Sequence, residues 1–514
     1  MEGHCGPRPV GISNAPEPRG SVLDCASPLA LPGRAVNTAA GQNRAHALDA
    51  LRGLAILAML LSGQVPFGQN ALPSWMYHAQ EPPPTFEWIG TLPGITWVDL
   101  VFPFFLFSMG AAFPLALSRR TESSVPKWKL GLFILERGFL LGFFALFVQA
   151  IRPYTLDTHP TTGTWWLALL GFFLLFPILT RLPDSWPRAL RWTVRVGGWV
   201  GAVLFFALAR YPDGSGFKLG RSDIIIIVLA NMAVFGSLVW MLTRKNLLPR
   251  LGLLGILLAI RLSNMPHAVE GWVHEIWRYS PAPWIYQLYY LQYLCIVIPG
   301  TIAGDLILKW IQNCGHATQP AQKHWPAMRM ISIGILMCSF VLVLLAGLKA
   351  RWLVSATLLT FAMCGVGWWL LARPVTETEK LYKNLFLWAI YWLVLGLFFE
   401  PYEGGIKKDK ATVSYYFVTS GLAICVFIGF SILIDVFHRR RWVQLLIDNG
   451  QNPMIAYAGI NNFITPALAL TGGATMLANF ASTPWRGFWK GVIITSLMAV
   501  TVSFLKRRKI FWRT

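Results

Sequence analysis

Trp97-Val98-Asp99-Leu100-Val101-Phe102-Pro103-Phe104-Phe105-Leu106-Phe107-Ser108-Met109-Gly110-Ala111-Ala112-Phe113-Pro114-Leu115-Ala116-Leu117 carries a single charge. A helix that crosses a bilayer needs about 20 mostly apolar residues. This run is therefore read as a membrane span with one acid near its start. Working outward, the same pattern returns at 50–66, 128–150, 163–180, 194–211, 223–243, 247–262, 285–308, 329–348, 352–372, 384–400, 413–437, 452–470 and 487–505. The expectation is an all-α, polytopic integral membrane helix bundle with about 11–14 transmembrane helices. Window 247–262 is the shortest and fits a re-entrant segment as well as a span. In 50–66, Ser62, Gly63, Gln64 and Pro66 predict a helix that breaks early. Broken backbone survives in a membrane only where protein or a polar cavity satisfies it.

Composition agrees. Of 514 residues 55% are hydrophobic and 13% charged, about half the charged share of a soluble domain. The net charge of +21 would suggest nucleic acid in a soluble chain, but no basic helix or RNA-binding signature accompanies it, and nucleic acid is set aside as a partner. Lys and Arg instead occupy alternate loops, from Arg119, Arg120, Lys127 and Lys129 to the terminal Lys506-Arg507-Arg508-Lys509, while 67–96 has none. By the positive-inside rule both termini are expected in the cytoplasm. Loop 401–412 breaks the rule with Lys407, Lys408 and Lys410. Either these cations are functional, or Glu400, Glu403 and Asp409 neutralise them. Tryptophans at segment ends read as an interfacial belt. Residues 1–45 are rich in Pro, Gly, Ala and Arg without an apolar core, and read as a disordered cytoplasmic tail. Residues 46–514 read as one transmembrane domain, with extra helices at about 180–380. The seven cysteines include no CxxC, so neither a disulfide framework nor a zinc site is expected.

Six places could carry chemistry. Asp49-x-x-Arg52-Gly53 puts a carboxylate and a guanidinium on one helical face, as a structural ion pair or with Arg52 toward an anion. Outer loop Trp75-Met-Tyr-His78-Ala-Gln-Glu81-Pro-Pro-Pro84 is stiffened by prolines, and it carries one histidine, the side chain most often used as a general base. From spacing alone, a solvated or capping histidine is the better reading. Asp99, inside an apolar helix, is a functional candidate by default, or a first-turn acid favoured by the helix dipole. Arg137 beside Glu136 needs a partner in mid-helix. His267-x-x-Glu270-x-x-x-His274 shares a helical face but lacks a fourth ligand, and no metal is expected. Asn452, Asn461 and Asn462 are amides that glue helices or hold a ligand's polar groups.

Together, Asp49-x-x-Arg52-Gly53, His78-Ala79 and the run Thr96–Phe105, in that order, resemble the transmembrane heparan-α-glucosaminide N-acetyltransferase family and its bacterial relatives. Gly405-Ile-Lys-Lys-Asp-Lys-x-x-x-Ser414-Tyr415, Gly450-Gln-Asn452-Pro and Arg508-Lys-Ile-Phe-Trp512 are similar too. The likeness covers roughly 44–150 and 400–514. It departs at Ser62-Gly63, where the family has an asparagine, and in the proline run after His78. The resemblance implies an acyltransferase of the bacterial inner membrane. It would move an acetyl group from cytoplasmic acetyl-CoA to an amino or hydroxyl group of a sugar or glycan outside. It implies no tightly bound cofactor, with acetyl-CoA as donor substrate. His78 and Asp99 would be catalytic. Arg52, Arg119, Arg120 and Arg137 would face the CoA phosphates. Glu81, Lys407, Lys408 and Asn452 would bind acceptor, and Asp49 would be structural. The partners would be the lipid bilayer, acetyl-CoA, the acceptor and a second copy of the chain in a homodimer. A sugar or muropeptide transporter and a non-catalytic membrane scaffold remain the alternatives.

Overall fold

The computed structural model describes residues 39–68, 72–122, 126–265, 268, 271–315 and 324–513. The protein is an integral membrane bundle of helices. Each of the fourteen apolar windows is occupied by helix, and among the described residues only two isolated β-bridges occur, Thr180–Trp512 and Ala282–Tyr286. The principal helices are α1 (Ala39–Ser62), α2 (Trp97–Glu122), α3 (Lys127–Ala150), α4 (Thr162–Leu179), α5 (Arg188–Leu208), α6 (Ile224–Thr243), α7 (Leu247–Leu262), α8 (Leu294–Gly315), α9 (Ala327–Lys349), α10 (Leu353–Leu370), α11 (Glu377–Phe398), α12 (Val413–Val436), α13 (Gln444–Gln451), α14 (Pro453–Leu470), α15 (Gly473–Phe480) and α16 (Pro484–Arg507).

Ten helices among the described residues are long and apolar enough to cross a membrane, or eleven counting α14 with α15, which meet at a 95° bend. The other windows fall short for visible reasons. Helix α7 has 16 residues. Helix α5 carries Arg188, Arg191 and Arg195 in its first two turns. Helix α1 opens on polar residues. Spans α2, α8 and α12 are the most buried and form the interior, whereas α9 and α10 turn Leu342, Leu358, Trp368 and Trp369 outward. Outward apolar side chains are the normal lipid face of a spanning helix.

One expectation changes. Helix α1 begins at Ala39, inside the stretch read as a tail. Ala39, Ala40, Gln42, Arg44, Ala45 and Ala47 are good helix formers, and they outweigh the low hydrophobicity on which that reading rested. Residues 1–38, with Cys5 and Cys25, lie outside the described residues, as does the side chain of Cys314. Helix α1 ends at Ser62, where the break at Ser62-Gly63 was expected. Cys295, Cys338, Cys364 and Cys425 are free thiols.

Helix α1 is bound to α13 almost backbone to backbone. A Cβ added at Gly450 would sit 1.8 Å from the Asp49 carbonyl oxygen, and one at Gly53 1.8 Å from the Leu446 carbonyl oxygen. Neither position has room for a methyl group, so the two helices can meet this closely only through glycine. Around this contact Gln451 Nε2 donates to Asp49 Oδ2 at 2.9 Å, and Arg52 donates to the Gly450 carbonyl at 3.3 Å and the Ser108 carbonyl at 3.4 Å. Lys506 pairs with Asp448 at 3.1 Å, so the start of α1 and the end of α16 lie at one end of the bundle. Gly450→Ala is expected to lower the unfolding temperature in detergent by several degrees, since overpacking costs about 1–3 kcal/mol. Gly334→Ala, with nothing within 4 Å of the new methyl group, should be neutral or stabilising. Equal unfolding temperatures for the two variants would contradict the close-contact account.

Candidate active site at one end of the bundle

The site is built on the first turn of α2. Thr96 is the residue before the helix, and Asp99 is its third residue. Thr96 N–H donates to Asp99 Oδ2 at 2.8 Å, and the Thr96 hydroxyl oxygen lies 3.2 Å from the same oxygen. This is the reciprocal half of a capping box, and Thr96-x-x-Asp99 was legible as one in the sequence. Ala79 N–H adds a further donor to Oδ2 at 3.3 Å. The other oxygen, Oδ1, lies 2.8 Å from His78 Nδ1. Asp99 is fully buried and the His78 side chain 29% exposed. A buried carboxylate accepts only, so it takes the Nδ1 proton of a neutral ring. That leaves Nε2 as the acceptor and fixes the ring's orientation.

The loop around His78 is held from several directions. The Thr96 hydroxyl also bonds the Tyr77 carbonyl at 2.7 Å, and the Tyr77 hydroxyl donates to the Pro66 carbonyl at 2.8 Å. Buried Gln80 donates to the carbonyls of Leu92 and Gly94 at 2.9 and 3.2 Å. Glu81 contributes its backbone N–H to the His78 carbonyl at 3.1 Å. Asp99, rather than Glu81, orients the ring. Tyr415, buried on α12, donates to the Asp99 carbonyl at 2.7 Å.

Loop 401–412 closes over this group. Gly94 N–H donates to the Ile406 carbonyl at 2.7 Å. Lys408 Nζ lies 3.1 Å from His78 Nδ1 and 3.3 Å from Nε2. Its sequence neighbour is used differently: Lys407 Nζ folds back onto the Glu403 carbonyl at 2.7 Å. Burial draws the Lys407 ammonium below its ordinary pKa, and Glu403 opposes that shift. The loop is anchored by two ion pairs from the middle of the chain. Arg261 of α7 pairs with Glu403 and also bonds the Ala411 carbonyl, and Glu403 accepts Val413 N–H at 2.7 Å. Arg351, between α9 and α10, pairs with Glu400, which also accepts Ile406 N–H at 3.3 Å.

The remaining expected site residues belong elsewhere. Arg52 is 3.6 Å from Asp49 and is spent on the α1–α13 contact. Asn452 is fully buried; its Nδ2 donates to the Ile510 carbonyl at 2.9 Å and its Oδ1 accepts Trp512 N–H at 3.1 Å, pinning the C-terminal segment. Arg120 stacks on Phe133 at 4.1 Å. The Arg119 side chain lies outside the described residues, and so do His267 and Glu270. Arg137 is half-buried and Glu136 exposed on α3. His274 Nδ1 is 3.1 Å from the Ser263 carbonyl.

These features define a class: a polytopic membrane protein with a part-exposed histidine paired to a buried aspartate at one end of its bundle. Residues 44–307 match the family model described as Domain of unknown function (DUF5009), and the chain belongs to that family. No curated protein matches the chain.

Because Asp99 satisfies several donors at once, Asp99→Ala strands the Thr96 and Ala79 N–H groups in a buried site. A loss of roughly 2–5 kcal/mol is expected, read as a drop in unfolding temperature in detergent. His78→Ala removes a part-exposed ring and should cost clearly less. Equal losses would show that the carboxylate is not the structural centre of the site.

Proposed function

We propose that the protein is a membrane-bound acyltransferase that uses acetyl-CoA as donor and a sugar or glycan amine or hydroxyl as acceptor. The observation that carries this reading is the 2.8 Å contact between His78 Nδ1 and the buried Asp99 carboxylate. It leaves Nε2 as the general base. The acceptor's oxygen or nitrogen attacks the thioester carbonyl carbon. The new C–O or C–N bond forms, the C–S bond breaks, and the acceptor's proton passes to Nε2 and then to the leaving thiolate. The Lys408 ammonium, 3.3 Å from Nε2, is placed to hold the developing oxyanion, the largest electrostatic demand of acyl transfer. Arg119 and Arg120, at the other end of α2, supply cations for the CoA phosphates. The bundle sits in the bacterial inner membrane with the His78 end outside and both termini in the cytoplasm, as the alternating basic loops support.

A general base typically contributes about 10²–10⁴ in rate. His78→Ala should therefore reduce acetyl transfer by that factor while expression and acetyl-CoA binding persist. His274→Ala should retain most activity. Wild-type turnover by the His78 variant on the true acceptor would remove the assignment.

Sidedness gives a second check. In oriented proteoliposomes, transfer is expected only when acetyl-CoA is supplied on the side of the termini, and Arg120→Glu should weaken CoA binding severalfold. A transporter for sugars or muropeptides is the second reading, favoured by the 95° bend between α14 and α15, since broken helices are common in transporters. Uptake of labelled sugar that survives His78→Ala, with no acetylated product, would establish it.

A further inference from the structure

Helix α16 presents small or polar residues every fourth position toward α1, α13 and α14: Gly487, Gly491, Thr495, Ala499 and Ser503, all buried. Each position has a known counterpart but one. Gly487 abuts Pro66 and Gly491 abuts Gln64. The Ala499 carbonyl accepts from Asn449 Nδ2 at 3.1 Å, and the Ser503 hydroxyl donates to Asp448 at 2.5 Å. The exception is Thr495. Its Oγ1 is buried and, among the described residues, has no hydrogen-bond partner.

Asn462 is in the same condition. It is 1% exposed, and neither Oδ1 nor Nδ2 has a partner among the described residues. The two groups belong together. Gly459 of α14 packs on Met498 of α16, where an added Cβ would be 2.4 Å from Met498 Sδ. The helices run in opposite directions, so Asn462 and Thr495, each about one turn further toward the His78 end, fall at one level. Asn449 Oδ1, about a turn the other way, is a third buried acceptor without a partner. Asn462 lies inside the π-helical turn Ile460–Ile464. Such turns insert a residue into the helix and are frequent at functional sites.

Polar groups this deeply buried need partners, and lipid supplies none. The three orphans are an amide donor, two amide oxygens and a hydroxyl. All are neutral, and together they present both donors and acceptors, which suits a small neutral occupant able to do the same. We propose that the seam between α13, α14 and α16 is a buried hydration site. Ordered water bridges Asn462, Thr495 and Asn449, each molecule making two to four bonds. The hydrated stretch continues the polar layer of Asp448, Ser503 and Lys506 toward Gln64 and Pro66, whose carbonyl accepts from the Tyr77 hydroxyl. It gives the bundle an uncharged, water-lined seam leading toward the His78 loop.

Radiolytic hydroxyl-radical footprinting of the purified full chain tests this, because bound water generates radicals beside its neighbours. Met498 and Met337 are both 0% exposed, but only Met498 adjoins the seam. Met498 should convert to its sulfoxide severalfold faster than Met337. Asn462→Leu with Thr495→Val should bring the two rates together. Thr495→Val alone, nearly isosteric, should slow Met498 oxidation and covers the case in which the double variant does not fold. Oxidation of Met498 no faster than Met337 in the unmodified protein would overturn the proposal. A density map in which Asn462 bonds directly to protein would overturn it too.

Discussion

A carboxylate buried at the start of a membrane helix has to be satisfied in full, and the way Asp99 meets that demand organises one whole end of this protein. The acid collects N–H bonds from Thr96, Ala79 and His78. Each of those bonds has a structural price attached only in the sense that something else must hold the donor still. Thr96 therefore also grips Tyr77, Gln80 braces the strand-like stretch before α2, and Tyr415 reaches across from α12 to the Asp99 carbonyl. The same carboxylate that ties down the loop also selects the ring nitrogen left available. Loop, helix start and ring are held by one group here, because an ion in a low-dielectric interior cannot be left half-paired.

Much of this was legible in sequence. Spans follow from apolar length alone, which is why every window is occupied by helix. Asp99 and His78 stood out because an acid in an apolar run and a histidine in a proline-stiffened loop are rare. What the sequence leaves unread is pairing across distance. Nothing local distinguishes Lys408, which meets the His78 ring, from Lys407, which folds back on its own loop. Arg52 carries the same charge as any CoA-binding arginine would, yet the glycines at 53 and 450 bring α13 so close that its guanidinium is taken up by carbonyls. Asn452 was equally ambiguous: an amide bonds a backbone as readily as a ligand, and here it bonds the chain's last residues.

The middle of the chain, where the resemblance to acetyltransferases gives no guide, proves to be joined to the site. Arg261 and Arg351 come from that region; Arg261 ends on Glu403 in loop 401–412 and Arg351 on Glu400 at its start. The loop's cations broke the positive-inside pattern in the sequence. Their surroundings account for part of that: Glu400 and Glu403 are occupied by arginines from elsewhere rather than by the loop's own lysines. The extra helices are thus braces for the loop that covers His78.

The separation between His78 and Lys408 along the chain, 330 residues, has a consequence for biosynthesis. A ribosome adds roughly 5–20 residues per second, so His78 and Asp99 are made about 15–65 s before the lysine that completes their surroundings. During that interval α2 is already inserted with its acid near a membrane boundary, held by Thr96, Ala79 and His78, all from nearby sequence. The late arrivals, Glu400, Glu403 and Lys408, then find Arg261 and Arg351 already waiting. A nascent chain arrested before residue 400 would carry a paired Asp99 but two arginines with no carboxylates to meet, which gives membrane quality control a ready mark of an unfinished molecule.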